Sequence, residues 1–285
     1  MKNMMKRVLC AAAALCLTAG AAMAEFDANK AIDVIAREDG SGTRGAFVEL
    51  TGVEQKVDGK KVDMTTEDAQ ITNNTAVMMT TVAGDEHAIG YISLGSLNET
   101  VKAVKVAGAE ATAQNVADGT YTLARPFNIA WKEDALSDAG RDFIAYIMSA
   151  EGQAIVNENG YVGSADAPAY EAKDVSGKVV VAGSSSVSPV MEKLAEAYKA
   201  VNANVDIEIQ TSDSTTGMTG AMEGSCEIGM ASRELKEAEA TALTHEAIAM
   251  DGIAVIVNNS NPVEELTVEQ IAAIYTGEAT VWSEL

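Results

Sequence analysis

Four short loops in this sequence combine small residues with hydroxyls, and two of them add arginine. That set suits an anion held by directed N–H and O–H donors. The densest runs Arg37-Glu38-Asp39-Gly40-Ser41-Gly42-Thr43-Arg44-Gly45. Gly40 and Gly42 permit unusual dihedrals and close backbone approach, Ser41 and Thr43 supply hydroxyls, and Arg37 supplies a forked cation. Asp39 is expected to hold that guanidinium through two parallel bonds, with Arg44 as the other supporting residue. The second loop is Gly183-Ser184-Ser185-Ser186-Val187-Ser188-Pro189, between a strand and a helix start. Free N–H groups and the helix dipole favour an oxyanion there, with Ser185 and Ser186 adding donors. Ser214-Thr215-Thr216-Gly217-Met218 and Ser232-Arg233-Glu234-Leu235 are the third and fourth. Each alone reads more readily as a helix cap than as a ligand site; their joint chemistry points to one anion site.

Such loops need elements that carry them to a common point. Short β-type runs alternate with helical patterns, the signature of an α/β chain. Strands are expected at Ile32–Ala36, Ala88–Ile92, Lys178–Ala182, Val205–Ile209 and Ile253–Val257. Pro189 opens a helix with apolar residues at Val190, Leu194, Ala197, Tyr198 and Val201. Thr267 and Gln270 form a capping box for a second helix that Gly277 can end. Ser137 starts a third pattern, with a break expected near Gly152. Ala165–Lys178, with Pro168 and Gly177, reads as a linker. No internal repeat is visible.

Composition narrows the partners. The 285 residues are 47% hydrophobic and 22% charged, enough apolar surface for a sizeable core. The net charge of −22 disfavours nucleic acid and anionic membrane surfaces as partners. Residues 1–24 read as an export signal: Lys2, Lys6 and Arg7, an apolar run from Val8 to Ala19, then Ala22-Met23-Ala24. Leu15 before Cys16 is bulky where a lipoprotein signal has a small residue, so a freely exported protein, in the periplasm or at the cell surface, is expected. Of the cysteines, Cys10 and Cys16 leave with the signal, and Cys226 alone forms no intrachain disulfide. No later stretch is apolar for the length of a membrane span.

At this level the sequence resembles the phosphate-binding proteins of ABC phosphate importers, within the two-lobed periplasmic binding proteins. The resemblance rests on the Arg37–Arg44 string, Lys178–Val187, Ile228–Leu235, Asp251–Asn258, Ala88–Tyr91 and Glu151-Gly152-Gln153. It implies an α/β, type II periplasmic-binding-protein fold, inorganic phosphate as ligand, an ABC phosphate permease as partner, a monomer, hinge closure, no cofactor and no catalysis. By the match Ser185, the Ser186 amide, Ser214, Arg37, Ser41, Gly42 and Thr43 contact phosphate and Asp39 braces Arg37. Thr215 and Ser232 join them from the third and fourth loops.

Two departures stand out. The family places the Ser184 segment first and the Arg37 segment after the Trp282 region; here the order is exchanged, so the chain reads as circularly permuted, or as a truncated or misassembled pair of fragments. The lobes are expected at 25–119 with 258–285, and at 120–257. Some relatives also carry an aspartate directly after the fourth-loop serine, where this chain has Arg233. Asp251 is the candidate replacement for accepting the hydrogen bond of a protonated phosphate oxygen, while Arg233 touching the anion directly is the alternative.

Other chemistries fit poorly. His87 and His245 lie in no metal-binding pattern, so no metal site is expected. No G-x-S-x-G elbow or G-x-x-x-x-G-K-[ST] loop occurs. An exported phosphate-ester hydrolase built on the arginine and serine pocket is the enzyme alternative. A surface interaction protein that keeps the fold without a ligand is the third class.

Overall fold

The computed structural model describes residues 26–285; the export signal expected at 1–24 lies outside the described residues. The chain enters through β1 (Asp33–Arg37) and α1 (Gly42–Thr51), then a hairpin of β2 (Glu54–Val57) and β3 (Lys60–Asp63). β4 (Gln70–Thr72), α2 (Thr75–Ala83) and β5 (Ala88–Ser93) follow. Two short strands, β6 (Lys102–Ala103) and β7 (Lys105–Val106), and α3 (Ala113–Ala117) lead into β8 (Ala124–Trp131). α4 (Asp138–Ile147) and α5 (Ala150–Glu158) precede β9 (Gly177–Ser184), α6 (Ser188–Val201), β10 (Val205–Ser212), α7 (Ser214–Glu223), β11 (Ile228–Ala231) and α8 (Glu237–Ala242). The long β12 (Thr244–Val257) returns, and β13 (Glu265–Leu266) and α9 (Val268–Thr276) complete the order.

One sheet runs β10-β9-β11-β8-β12-β5-β1-β4, with β6 added beside β12. Its middle is the antiparallel pair of β8 and β12, and these two strands carry the chain between two lobes. Phe127, Phe143, Val179, Leu194 and Ile248 share one core. Val34, Phe47, Ile89, Leu123, Ile253, Tyr275 and Trp282 share another, and Ile35, Met78, Val82 and Ile256 fill the opposite face of that second lobe. The crossings therefore fall inside β8, between Leu123 and Phe127, and inside β12, between Ala249 and Ile253. The expected boundaries at 119/120 and 257/258 lie a few residues outside these crossings. Apolar alternation identifies a strand but not which core it joins, and β12 joins both.

Local signals explain most of the remaining elements. Thr267 Oγ1 accepts from the Gln270 amide at 3.1 Å and Gln270 Oε1 from the Thr267 amide at 2.8 Å, and Gly277 ends α9 in the left-handed region at φ 78°. The break expected near Gly152 lies instead at Met148-Ser149, where Ser149 caps α5. Gly152 has a packing role: a Cβ there would sit 2.2 Å from the Tyr146 carbonyl oxygen. The segment before β9 is irregular, as expected, but anchored: the Tyr170 and Tyr198 hydroxyls both donate to Asp142 Oδ2 at 2.7 Å. Among the described residues, no helix is long and apolar enough to cross a membrane. Cys226 is buried, and burial pushes its thiol up to about 11.

Candidate functional site

Four helices begin at the seam between the lobes, and each brings a hydroxyl. α1 and α2 come from one lobe with Thr43 and Thr75; α6 and α7 come from the other with Ser186, just ahead of α6, and Ser214. Their first N–H groups lack intrahelical acceptors, and each positive dipole end faces the same cluster. The helices start there for local reasons. Ser41, Asn74 and Asp213 cap α1, α2 and α7 by accepting from the Arg44, Val77 and Thr216 amides, while Pro189 opens α6. Gly40, at φ +89°, turns the chain from β1 into α1. Gly42 must be glycine for closeness: a Cβ would lie 2.3 Å from Ser214 Oγ and 2.9 Å from Ser232 Oγ.

The hydroxyls meet across the seam. Thr43 Oγ1 is 2.8 Å from Ser186 Oγ and 3.2 Å from Ser232 Oγ; Thr75 Oγ1 is 3.3 Å from Ser186 Oγ and 3.5 Å from Ser185 Oγ. Ser232 also receives the Ser184 hydroxyl at 3.0 Å and gives its amide to Ser214 Oγ at 3.1 Å. All are buried. Arg37 reaches in from the end of β1, with its Nη2 donating to Ser185 Oγ at 3.1 Å. It is 2% exposed, and its Nη1 has no hydrogen-bond partner. Its main-chain amide donates to the Tyr91 hydroxyl at 3.1 Å, and Tyr91 stacks on Phe47 of α1 at 3.9 Å, which pins strand end and helix together.

The brace of Arg37 is not the expected one. Glu38 takes Nε at 2.8 Å and Nη2 at 2.7 Å, a bidentate pair, whereas the Asp39 side chain is fully exposed and lies 3.4 Å from Arg44. The left-handed Gly40 turns the chain right after Asp39, so its neighbour Glu38 keeps the reach. Arg44 Nη1 donates to the Arg37 carbonyl at 2.8 Å and its Nε to Asp63 at 2.7 Å.

Asp251 does not face the hydroxyls either. It is 1% exposed, and its Oδ2 is taken by Arg125 Nη1. Burial pushes its carboxyl up to about 6, against the pull of the Arg125 charge and hydrogen bond and of the Gly95 amide. Arg233 is likewise turned away from the cluster. Glu239 holds it at 2.7 and 2.9 Å, and its Nη2 donates to Thr215 Oγ1 at 3.3 Å. Glu239 is held below the usual carboxylate range: burial pushes it up, but Arg233 and the Lys236 amide outweigh that. Glu234 is exposed. Ser41 caps α1, and Thr215 touches Gly40 from the opposite lobe.

Three site residues escaped the sequence reading. Thr75 follows Asn73-Asn74 ahead of an apolar helix, a capping signal that was available. Glu38 adjoins Asp39 in the Arg37–Arg44 string, and local spacing does not distinguish which of the two carboxylates braces Arg37. Arg125 is a lone cation beside Pro126 near the start of β8, a strand not among the sequence expectations, and nothing in its spacing ties it to the four loops.

The PBP superfamily domain model matches residues 22–151 and 168–285. The phosphate-binding protein PstS 2 of Streptococcus agalactiae is 55% identical over 256 residues, 89% of this chain and 87% of that protein. The chain belongs to the phosphate-binding-protein family of the PBP superfamily. A crystal structure of a phosphate-binding protein of a phosphate ABC transporter from Streptococcus pneumoniae matches with a TM-score of 0.71 and 47% identity, covering 89% of this chain and 99% of that one. The fold of this family member is accordingly the α/β, two-lobed periplasmic-binding-protein fold. The phosphate-binding protein PstS of Pseudomonas aeruginosa matches less, at 34% identity over 118 residues, 38% of this chain and 36% of that protein.

Proposed function

We propose that this protein captures inorganic phosphate between its lobes and delivers it to an ABC importer on the outer side of the membrane, without catalysis. The observation that carries the reading is the Arg37 guanidinium. A buried cation with one unpartnered nitrogen, ringed by serine and threonine hydroxyls and four helix N-termini, suits a compact oxyanion of high charge. Arg37, Thr43 and Thr75 grip from one lobe and Ser185, Ser186, Ser214 and Ser232 from the other, with Gly42 allowing their close approach. Ligand-driven hinge closure then turns on β8 and β12. The acidic surface does not oppose this, because exposed charges are screened within about 8 Å at physiological salt. The names of the relatives support phosphate as the ligand. A hydrolase would need a base beside its serine, and His245 is exposed while His87 makes no hydrogen bond to a site hydroxyl. Calorimetric titration of residues 25–285 with phosphate, sulfate and molybdate tests the reading. Saturable phosphate binding without release of phosphate from esters is expected; heat from none of the three anions would overturn it.

The reading includes a circularly permuted chain. Ala31 bridges Val281, and the Ser283 amide donates to the Ala28 carbonyl at 2.8 Å, so residues 28–31 and 281–283 lie side by side, as an exchange of order at that point requires. The 256-residue match to the streptococcal protein runs along nearly the whole of both chains, so an exchanged order would be shared with that relative, while the match to the Pseudomonas protein spans 118 residues. Rejoining residues 177–285 ahead of 25–164 should preserve phosphate affinity; loss of binding in a well-folded rearranged protein would count against the permutation.

A further inference from the structure

Resting on the phosphate reading, we propose that Arg125 is a positioning residue that fixes the Thr43 hydroxyl as a hydrogen-bond donor to the bound anion. Arg125 stands on β8 and faces Asp251 on β12 in register, where the two strands pass between the lobes. It is 3% exposed. Its Nη1 engages the Asp251 carboxylate and the Gly252 carbonyl, the latter at 3.1 Å; its Nε donates to the Ser232 carbonyl at 3.2 Å. The plane lies 5.0 Å over the Phe127 ring. Held on these sides, the guanidinium directs Nη2 at one target, Thr43 Oγ1, at 3.1 Å.

A guanidinium only donates, and a hydroxyl has one hydrogen and two lone pairs. Thr43 Oγ1 therefore accepts from Arg125, and its own hydrogen is left for the serine cluster, where Ser186 Oγ lies at 2.8 Å and Ser232 Oγ at 3.2 Å. Without Arg125 the same hydroxyl could turn its lone pairs toward the anion, an unfavourable contact. Asp251 thus serves the site by holding Arg125, which accounts for a buried carboxylate that does not face the hydroxyls. Lysine is no substitute: it can keep the charge beside Asp251, but it lacks the planar fork that also reaches Thr43.

The test is a double-mutant cycle in phosphate affinity, measured by calorimetry on Arg125→Lys, Thr43→Val and the double variant, each checked for a native melting transition. Arg125→Lys should weaken phosphate binding roughly tenfold in the parent and less than about twofold in the Thr43→Val background. If Arg125→Lys does not fold, the neutral pair Arg125→Gln with Asp251→Asn takes its place in the cycle with the same expectation. An equal fold-loss in both backgrounds would mean that Arg125 does not act through Thr43, and would overturn this proposal while leaving the phosphate reading intact. Failure of the parent to bind phosphate would overturn both.

Discussion

Thr215 of one lobe gives both its amide and its hydroxyl to the carbonyl oxygen of Gly40 in the other, each at 3.2 Å. This contact lies outside the hydroxyl cluster, yet it joins the two lobes directly, and Arg233 with Glu239 holds Thr215 from behind. It fastens the joined arrangement of the lobes. Thr215→Val keeps the shape and the amide but removes two hydrogen bonds: the one to Gly40 across the lobes, worth about 0.5–1.5 kcal/mol, and the one accepted from Arg233 within its own lobe. Phosphate affinity should fall about two- to tenfold through faster dissociation, with the phosphate-to-sulfate ratio unchanged. Stopped-flow dissociation rates together with paired titrations check this; a changed ratio would place Thr215 at the anion instead.

Arg37→Ala should cost far more affinity than Arg141→Ala. Arg37 is a buried charge facing the cluster, whereas Arg141, on α4, forms an exposed pair with Glu133 in the preceding turn. The brace can be tested beside it. Glu38→Gln should weaken binding by an order of magnitude or so while Asp39→Asn changes it little, because only Glu38 grips the guanidinium at two points. Equal effects of the two carboxylate substitutions, read by calorimetry, would contradict the assignment.

Gly42→Ala separates folding from closure. The clashing atoms, Ser214 Oγ and Ser232 Oγ, belong to the opposite lobe, so the added methyl strains the seam and not the core of either lobe. Phosphate binding should fall more than about tenfold with a melting temperature near that of the parent, and small-angle scattering should report a more open particle. An unchanged affinity would mean that the seam relaxes freely.

Acid should release part of the stability held by Arg233 and Glu239. The folded-state value of Glu239 lies below its unfolded value, so its contribution is fully present above about pH 4.5 and is lost as pH falls through the depressed folded value. Glu239→Gln should lower stability at pH 7 and flatten the decline between about pH 5 and 3. Denaturant melts across that range measure it; a parallel decline in both proteins would argue against the assignment.

Cys226 should be chemically quiet. Its thiol is buried and pushed up to about 11, so little thiolate exists at neutral pH. A chromogenic disulfide reagent should label the native protein far more slowly than the denatured one. Rapid labelling of the folded chain would show that the α7–β11 turn opens readily.

The sequence by itself determined the alternation of strands and helices, the capping box of α9, the opening of α6 at Pro189 and the chemistry of the four loops, because caps, turns and periodicity are written within a few neighbouring residues. It also carried the anion character, since glycine, hydroxyl and arginine coincide in the Arg37–Arg44 string whatever surrounds it. Only the tertiary structure decided which carboxylate meets which guanidinium. Glu38 rather than Asp39 holds Arg37 because a left-handed turn at Gly40 sends the chain away after Asp39. Asp251 holds Arg125, 126 positions away in the chain, because β8 and β12 run antiparallel in one particular register. The lobe boundary was hidden for the same reason: only the Ile253–Val257 end of β12 reads as a strand in the sequence, and which half packs in which core depends on partners far along the chain. Pairings between distant elements are set by sheet register and packing, and no local spacing encodes them.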